Sequence, residues 1–232
     1  MLVTHNLKFD FSSRSINHLL IDELKKLNPN KKYHILDIGC GDGVMIDDLN
    51  KLHLIKKNFK LSAIDISEDN IKVAKTRNFH ANFLVANAEN IPFKDKSFDF
   101  IYSWMVLEHV LHPDKMLKEI KRTLKKNSTC YISTIMKRKW GIYFYHRNGK
   151  FFLDPTHVHE FESKEELYDL FQDCSLKIKH IEIYPCKYSL AELIMKLAMK
   201  TGLMEPSIEN RLFFSKHRFI NFFKEKIKII IP

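Results

Sequence analysis

The chain reads HILDIGCGDG from His34 to Gly43, and its chemistry begins with the spacing of the glycines. Gly39, Gly41 and Gly43 alternate with Cys40 and Asp42, and Asp37 stands two residues before the first glycine. A tight turn needs positive φ somewhere, which a Cβ resists, and a ligand that comes close to a backbone also needs the Cβ absent. The spacing is G-x-G-x-G, not the G-x-G-x-x-G of a dinucleotide site. A pyrophosphate resting on a helix N-terminus would be repelled by Asp37 and Asp42, whereas a cationic or amino-bearing ligand would be attracted. An ordinary strand-to-helix turn is the alternative reading of this stretch.

A second chemical stretch, DPTHVHEF, runs from Asp154 to Phe161. His157 and His159 are two residues apart, so on an extended segment both rings point the same way. They can share a metal with Asp154 or Glu160, or one can take a proton from a hydroxyl. A purely structural string is the third reading. His109, in the string LEHV, is a further imidazole able to act as a base near neutral pH. The four cysteines, Cys40, Cys130, Cys174 and Cys186, form no C-x-x-C pair. That argues against a zinc–thiolate site or a disulfide framework and for a reducing cytosol, so a cytoplasmic chain with no resident metal is expected.

These residues need elements to hold them. Ile35, Leu36 and Ile38 form the short apolar run of a strand buried on both faces, about 33–38. After Gly43 the apolar period changes to helical, with Val44, Met45, Ile46, Leu49 and Leu52 near one face. A second strand, Lys60 to Ile64, closes at Asp65, and a helix over about 67–78 follows, capped by Ser67. Further strands are expected over Asn82–Ala86, 97–104, Thr129–Ile135 and Leu176–Tyr184. Amphipathic helices are expected over Ile16–Leu27, Pro113–Lys126 and from the Ser163/Glu166 capping box to about Asp173. Alternating strands and helices in one chain of 232 residues suit a single α/β domain with elaborations.

HILDIGCGDG resembles motif I of the class I S-adenosylmethionine (SAM) dependent methyltransferases. The segments after it resemble the broad type-11 methyltransferase group, over about residues 30–185. The resemblance implies a Rossmann-like, seven-stranded, mostly parallel sheet with helices on both faces, an antiparallel last strand and a small helical cap. It implies SAM as cofactor and S-adenosylhomocysteine as product, with Asp37, Gly39, Cys40, Gly41 and Gly43 in the cofactor turn. Asp65, at the end of the second strand, faces that turn across the crevice and can accept both ribose hydroxyls, with Ile66 flanking the adenine. NAENIPF, from Asn87 to Phe93, resembles the family's G-D-A-E-x-L-P-F, which assigns Asn87, Ala88 and Glu89 to the adenine amino group. Here Asn replaces the family's Asp, but an amide oxygen still accepts that bond. Ser103, Trp104 and Met105, at the end of the fourth strand, are expected to face the methionine half. Asp99 is expected to be structural. His109 falls near the methyl group, as a candidate general base or as architecture.

After the fifth strand the sequence turns aromatic and basic: KRKWGIYFYHRNGKFFLDPTHVHEF. A lid over 136–162 carrying Trp140, Tyr143 and Tyr145, with Trp104 beneath, can stack on a sugar or base and pair with a phosphate. A hydrophobic cap packed on the domain is the alternative. Residues 186–222 read as a helical insertion, 1–30 as a helical leader, and IKIII near the end as the antiparallel last strand. The formal net charge is +10, and residues 115–150 hold eleven Lys or Arg against one acid, Glu119. Such a window is either a solvated face or an attractor of an anionic acceptor. MLVTHNLKFDF lacks the basic start and apolar run of a signal peptide, and no stretch approaches the roughly 18 apolar residues of a membrane span. The expected activity is methyl transfer from SAM to a small molecule, with O-methylation of a sugar or surface-polysaccharide precursor leading and His109, His157 or His159 as base. A quinone or lipid C-methyltransferase, an RNA methyltransferase and a non-catalytic SAM-binding subunit are the alternatives. Nucleic acid is disfavoured by the lack of an N-P-P-Y motif or an RNA-binding module, and peripheral membrane contact through the basic tail is the lesser reading of the C-terminal segment.

Overall fold

The computed structural model describes residues 18–77, 80–137, 145–147, 150–152, 156–188 and 219–231. Five parallel strands form the centre of the fold: β1 (Tyr33–Ile38), β2 (Phe59–Asp65), β3 (Ala81–Val85), β4 (Phe98–Trp104) and β5 (Leu124–Lys137). Their order is β3-β2-β1-β4-β5. A two-stranded hairpin, β6 (Tyr145–Arg147) and β7 (Lys150–Phe152), stands apart from that sheet. The far edge is built by β8 (His180–Tyr188) and β9 (Phe219–Ile231), with β9 running antiparallel between β5 and β8.

Helices α1 (His18–Lys25), α2 (Val44–Lys51), α3 (Glu68–Thr76), α4 (Pro113–Thr123) and α5 (Lys164–Asp173) connect the strands. The period-2 alternation of a strand buried on both faces sorts the core into two clusters. Leu36 and Ile38 of β1 join Met116, Leu117 and Ile120 of α4 and Leu167 and Phe171 of α5 on one side. Ile35 joins Leu20 and Leu24 of α1, Ile46 and Leu49 of α2 and Ile71 and Ala74 of α3 on the other. Ser67 caps α3 by accepting the Asn70 N–H at 3.2 Å. Ser163 caps α5 by accepting the Glu166 N–H at 3.1 Å, while Glu166 reaches back to the Glu162 N–H at 2.7 Å. Asp99 is structural as expected, since Oδ2 accepts the His34 N–H at 2.9 Å and the Lys125 ammonium at 2.8 Å.

The C-terminal region differs from its sequence expectation. Residues 186–188 and 219–222, read as parts of a helical insertion, are strand. These two stretches pair with each other, Lys187 with Ile220 and Tyr188 with Phe219, and that pairing overrides local helix propensity. Residues 1–17 and 189–218, with most of the expected leader and insertion, lie outside the described residues. No helix among the described residues is long and apolar enough to cross a membrane.

Strand order reverses at β1, whose neighbours are β2 and β4. In an open α/β sheet the ligand crevice lies outside the carboxyl ends of the strands at that reversal. Gly39 and Met105 follow directly on β1 and β4, and Asp65 is the last residue of β2.

Candidate active site

The glycine turn after β1 is built by positive φ: +74° at Gly39, +53° at Gly41 and +83° at Gly43. Gly39 has a further reason. A Cβ there would stand 2.2 Å from Cγ2 of Val106, so the loop after β4 crosses directly over it. Gly41 is different, because a Cβ there would meet nothing within 4 Å. Its backbone faces open space of the kind a closely bound ligand fills. Gly39 and Cys40 both donate N–H bonds to the Ile64 carbonyl, at 2.8 and 3.0 Å, which ties the turn to the end of β2. Cys40 is buried, and burial beside Asp37 and Asp65 keeps its thiol protonated.

Asp37 is 2% exposed, and burial, reinforced by the charge of Asp65, pushes its carboxyl up to about 8. The Tyr102 hydroxyl is near enough to pull the other way without completing a hydrogen bond, and Oδ2 has no hydrogen-bond partner among the described residues. An orphaned buried carboxyl oxygen is the feature an ammonium group would satisfy. Asp42, expected to share that task, does not: Arg77 pairs with its carboxylate at 2.9 Å and bonds its carbonyl at 2.6 Å. The loop-spanning Arg77 had no periodic or motif signal in the sequence.

Asp65 organises the opposite wall. Oδ2 accepts the Gly41 N–H at 2.8 Å, and Oδ1 accepts the Ser67 N–H at 2.9 Å and the Asn70 amide at 3.2 Å. A carboxylate offers about four acceptor positions, so one remains on Oδ2 for a ribose hydroxyl, and a second needs the Asn70 amide to turn away. Ile66, beside it, is 73% exposed and presents apolar surface to the crevice mouth. Asn87 uses its side-chain oxygen to accept the Glu89 N–H at 2.8 Å, and a second lone pair remains. The Glu89 carboxylate accepts the Leu111 and His112 N–H groups at 2.8 and 3.0 Å, so it holds the loop before α4. Ala88 is packed in the core. Ser103 is fully buried, with a hydroxyl lacking a partner among the described residues. The Trp104 ring stacks on Tyr131 at 6.4 Å.

Of the three imidazoles expected near the chemistry, two come together. His109 and His157 are edge to face with centroids 5.0 Å apart. His159, expected to point with His157, instead bonds the Leu111 carbonyl at 3.0 Å through Nε2, because the backbone there is irregular rather than extended. His157 is buried with Nδ1 against the Glu160 carboxylate, whose other oxygen lies 3.5 Å from Lys137 Nζ. His109 is exposed, with Nδ1 3.1 Å from the Thr156 carbonyl. Glu108 completes the group. It is buried, Oε2 accepts the Thr134 hydroxyl at 2.9 Å, and burial raises its carboxyl above the usual range. The Val158 and His159 N–H groups bond its carbonyl at 2.8 and 3.0 Å, locking the two loops together. Adjacency to His109 was the sole sequence signal for Glu108; burial decided its role. Trp140, Tyr143 and Asp154 lie outside the described residues, and Tyr145 is placed only as a residue of the β6–β7 hairpin.

The lysine-rich window is divided: Lys137 reaches the Glu160 carboxylate beside His157, while its earlier members lie elsewhere. Lys118, Lys121, Arg122, Lys125 and Lys126, with Lys177, line a groove of about 770 Å³ beside the start of β5 and the end of α5. That is the amino end of the parallel strands, opposite the glycine turn.

A family model described as a methyltransferase domain, of the type-11 group, matches residues 36–132, from the middle of β1 into β5. That stretch is a methyltransferase domain of the type-11, SAM-dependent group. The methyltransferase is 31% identical over 166 residues to a ubiquinone biosynthesis O-methyltransferase of Pelagibacter ubique, covering 66% of this chain and 65% of that one. It is 29% identical over 190 residues to a ubiquinone/menaquinone biosynthesis C-methyltransferase of Rickettsia felis, covering 78% and 74%. Its fold matches a solved SAM-dependent methyltransferase of Methanosarcina mazei with a TM-score of 0.61, at 21% identity and covering 93% and 97% of the two chains. The open face at Gly41, the orphaned Asp37 oxygen and the strand-end Asp65 fit SAM.

Proposed function

We propose that this methyltransferase O-methylates a phenolic hydroxyl on the ring of an isoprenoid-quinone precursor. The observation that carries this reading is the polar cluster of Glu108, His109 and His157 on loops beyond the carboxyl ends of β4 and β5, on the segment that crosses Gly39. When bound, SAM supplies a methyl carbon made electrophilic by its sulfonium. The chain must then align an acceptor oxygen, exclude water and dispose of the hydroxyl proton. Asp65 and the glycine turn hold the cofactor end. His109, the exposed member of the cluster, is the one an acceptor hydroxyl can touch, and the cluster takes that proton as the oxygen–carbon bond forms. An aromatic hydroxyl, already near pKa 10, needs less help from such a cluster than an aliphatic sugar hydroxyl does.

The quinone relatives support this acceptor over the sugar or polysaccharide precursor expected from the lid composition. Methylation of a ring carbon is the second reading, favoured by the Rickettsia felis relative. The test is incubation of the purified protein with SAM and a short-chain polyprenyl catechol, with mass and NMR analysis of the product. A methoxy product supports the proposal. A ring-methyl product supports the second reading, and turnover only with nucleotide-linked sugars would return the acceptor to a carbohydrate.

A further inference from the structure

Glu108, His109 and His157 each offer one ligand atom, and these atoms all lie within 4.8 Å of one another. Two features beyond proximity point to what they take. The Glu108 side chain is fully buried, yet Oε1 has no hydrogen-bond partner among the described residues. Each ring also has an anchor on its other nitrogen. The Thr156 carbonyl accepts only from a protonated Nδ1 of His109, and the Glu160 carboxylate stands against Nδ1 of His157. Both contacts fix the tautomer with the lone pair on Nε2. A backbone carbonyl on one imidazole and a carboxylate on the other are the outer partners that orient metal-binding histidines.

We propose that Glu108, His109 and His157 form a binding site for a divalent first-row transition ion of the zinc class. Two imidazole nitrogens and one carboxylate oxygen suit such an ion and not magnesium, which takes oxygen ligands. Tetrahedral bonds of about 2.1 Å place ligands about 3.4 Å apart, so the group closes by roughly 1.5 Å at most on binding. His109, on the exposed side, supplies that movement by rotating its ring. Three protein ligands leave one position open on the solvent side, the arrangement of a catalytic rather than a structural ion. With an ion bound, both imidazole lone pairs would serve as ligands, so an acceptor hydroxyl held at the open position would lose its proton to solvent instead of to His109. This role rests on the acceptor reading above; the binding itself does not. The metal-site alternative legible in the sequence paired His157 with His159, whereas the fold turns His159 away and brings in Glu108.

The test is calorimetric titration of the untagged, chelator-stripped full chain with zinc chloride, repeated with cobalt chloride while following visible absorbance. One ion per chain at micromolar affinity or better is expected. Glu108→Gln and His109→Ala should each weaken it by about tenfold or more, while His159→Ala leaves it unchanged. S-adenosylhomocysteine binding retained by Glu108→Gln shows that the variant is folded. Absence of zinc binding, or binding indifferent to both substitutions, overturns the site. Stoichiometric binding without zinc-stimulated methylation of the catechol keeps the site and overturns its role toward that acceptor.

Discussion

At the residue scale the two acids flanking the glycine turn do different work, and each makes a prediction. Asp65 ties the turn to α3 and leaves one acceptor position on Oδ2, which the proposed function gives to the cofactor. Asp65→Ala is expected to weaken SAM binding by at least about 30-fold, the loss of a charged hydrogen bond worth roughly 2 kcal/mol, read by calorimetry. Asp37 titrates. Its native carboxyl is pushed up to about 8 by burial, against an ordinary value of 3.8. Between those values the native protein holds a proton that the unfolded chain has lost, so this group makes stability fall as pH rises through that window. An ammonium group such as that of SAM set against Asp37 would favour the carboxylate. Binding below pH 8 should therefore release a proton, and affinity should rise from pH 6 to about 7.5 by up to about tenfold per unit. Titrations in buffers of different ionisation enthalpy check this, and Asp37→Asn should flatten the dependence.

At the scale of elements, the turn after β1 and the loop after β4 act as one unit, because Val106 packs over Gly39. Two glycine substitutions separate packing from ligand space. In Gly39→Ala the new Cβ must push Val106 aside from 2.2 Å, and with it the segment bearing Glu108 and His109. More than about 2 kcal/mol of stability should be lost, along with SAM binding. Gly41→Ala pays only the positive-φ strain, about 1–2 kcal/mol, and should fold. It should still bind SAM poorly, because its methyl enters the space left open beside the turn. Denaturant melts beside calorimetry distinguish the two. Arg122 acts across elements in the same way, bonding the Ile91 and Phe93 carbonyls and pairing with Asp95 and Glu119, so α4 holds the loop that follows Asn87.

At the scale of the whole molecule, β9 joins the parallel sheet to its far edge. It pairs with β5 from Cys130 to Lys137 on one side and with β8 on the other, and among the described residues β8 pairs with no other strand. Ile229 and Ile231 are fully buried in the cluster that also holds Met116, Leu117 and Phe171. A chain ended at residue 218 should therefore expose β5 as an unprotected edge and lose the seat of β8. Aggregation on expression, or loss of cooperative unfolding by circular dichroism, is the expected outcome. Charge is divided along the same axis: the lysine groove lies at the amino end of the strands and the chemistry at the carboxyl end.

Local rules determined much of this protein from sequence alone. An apolar run broken by spaced glycines fixes a strand, a turn and a helix together, and the central strands β1, β2 and β4 carry apolar runs that survive folding because both of their faces are largely buried. Asp37, the three glycines and Asp65 were legible for the same reason: strand-end positions and backbone conformation depend on neighbours close in sequence. Tertiary structure decided what depends on distant neighbours. Arg77 reaching Asp42, Glu108 gathering His157 from almost fifty residues away and His159 turning to Leu111 follow from how two loops meet above the sheet. Residues 219–222 became strand for the same reason, because a helical pattern in isolation gave way to pairing with β8, a partner supplied by the rest of the chain.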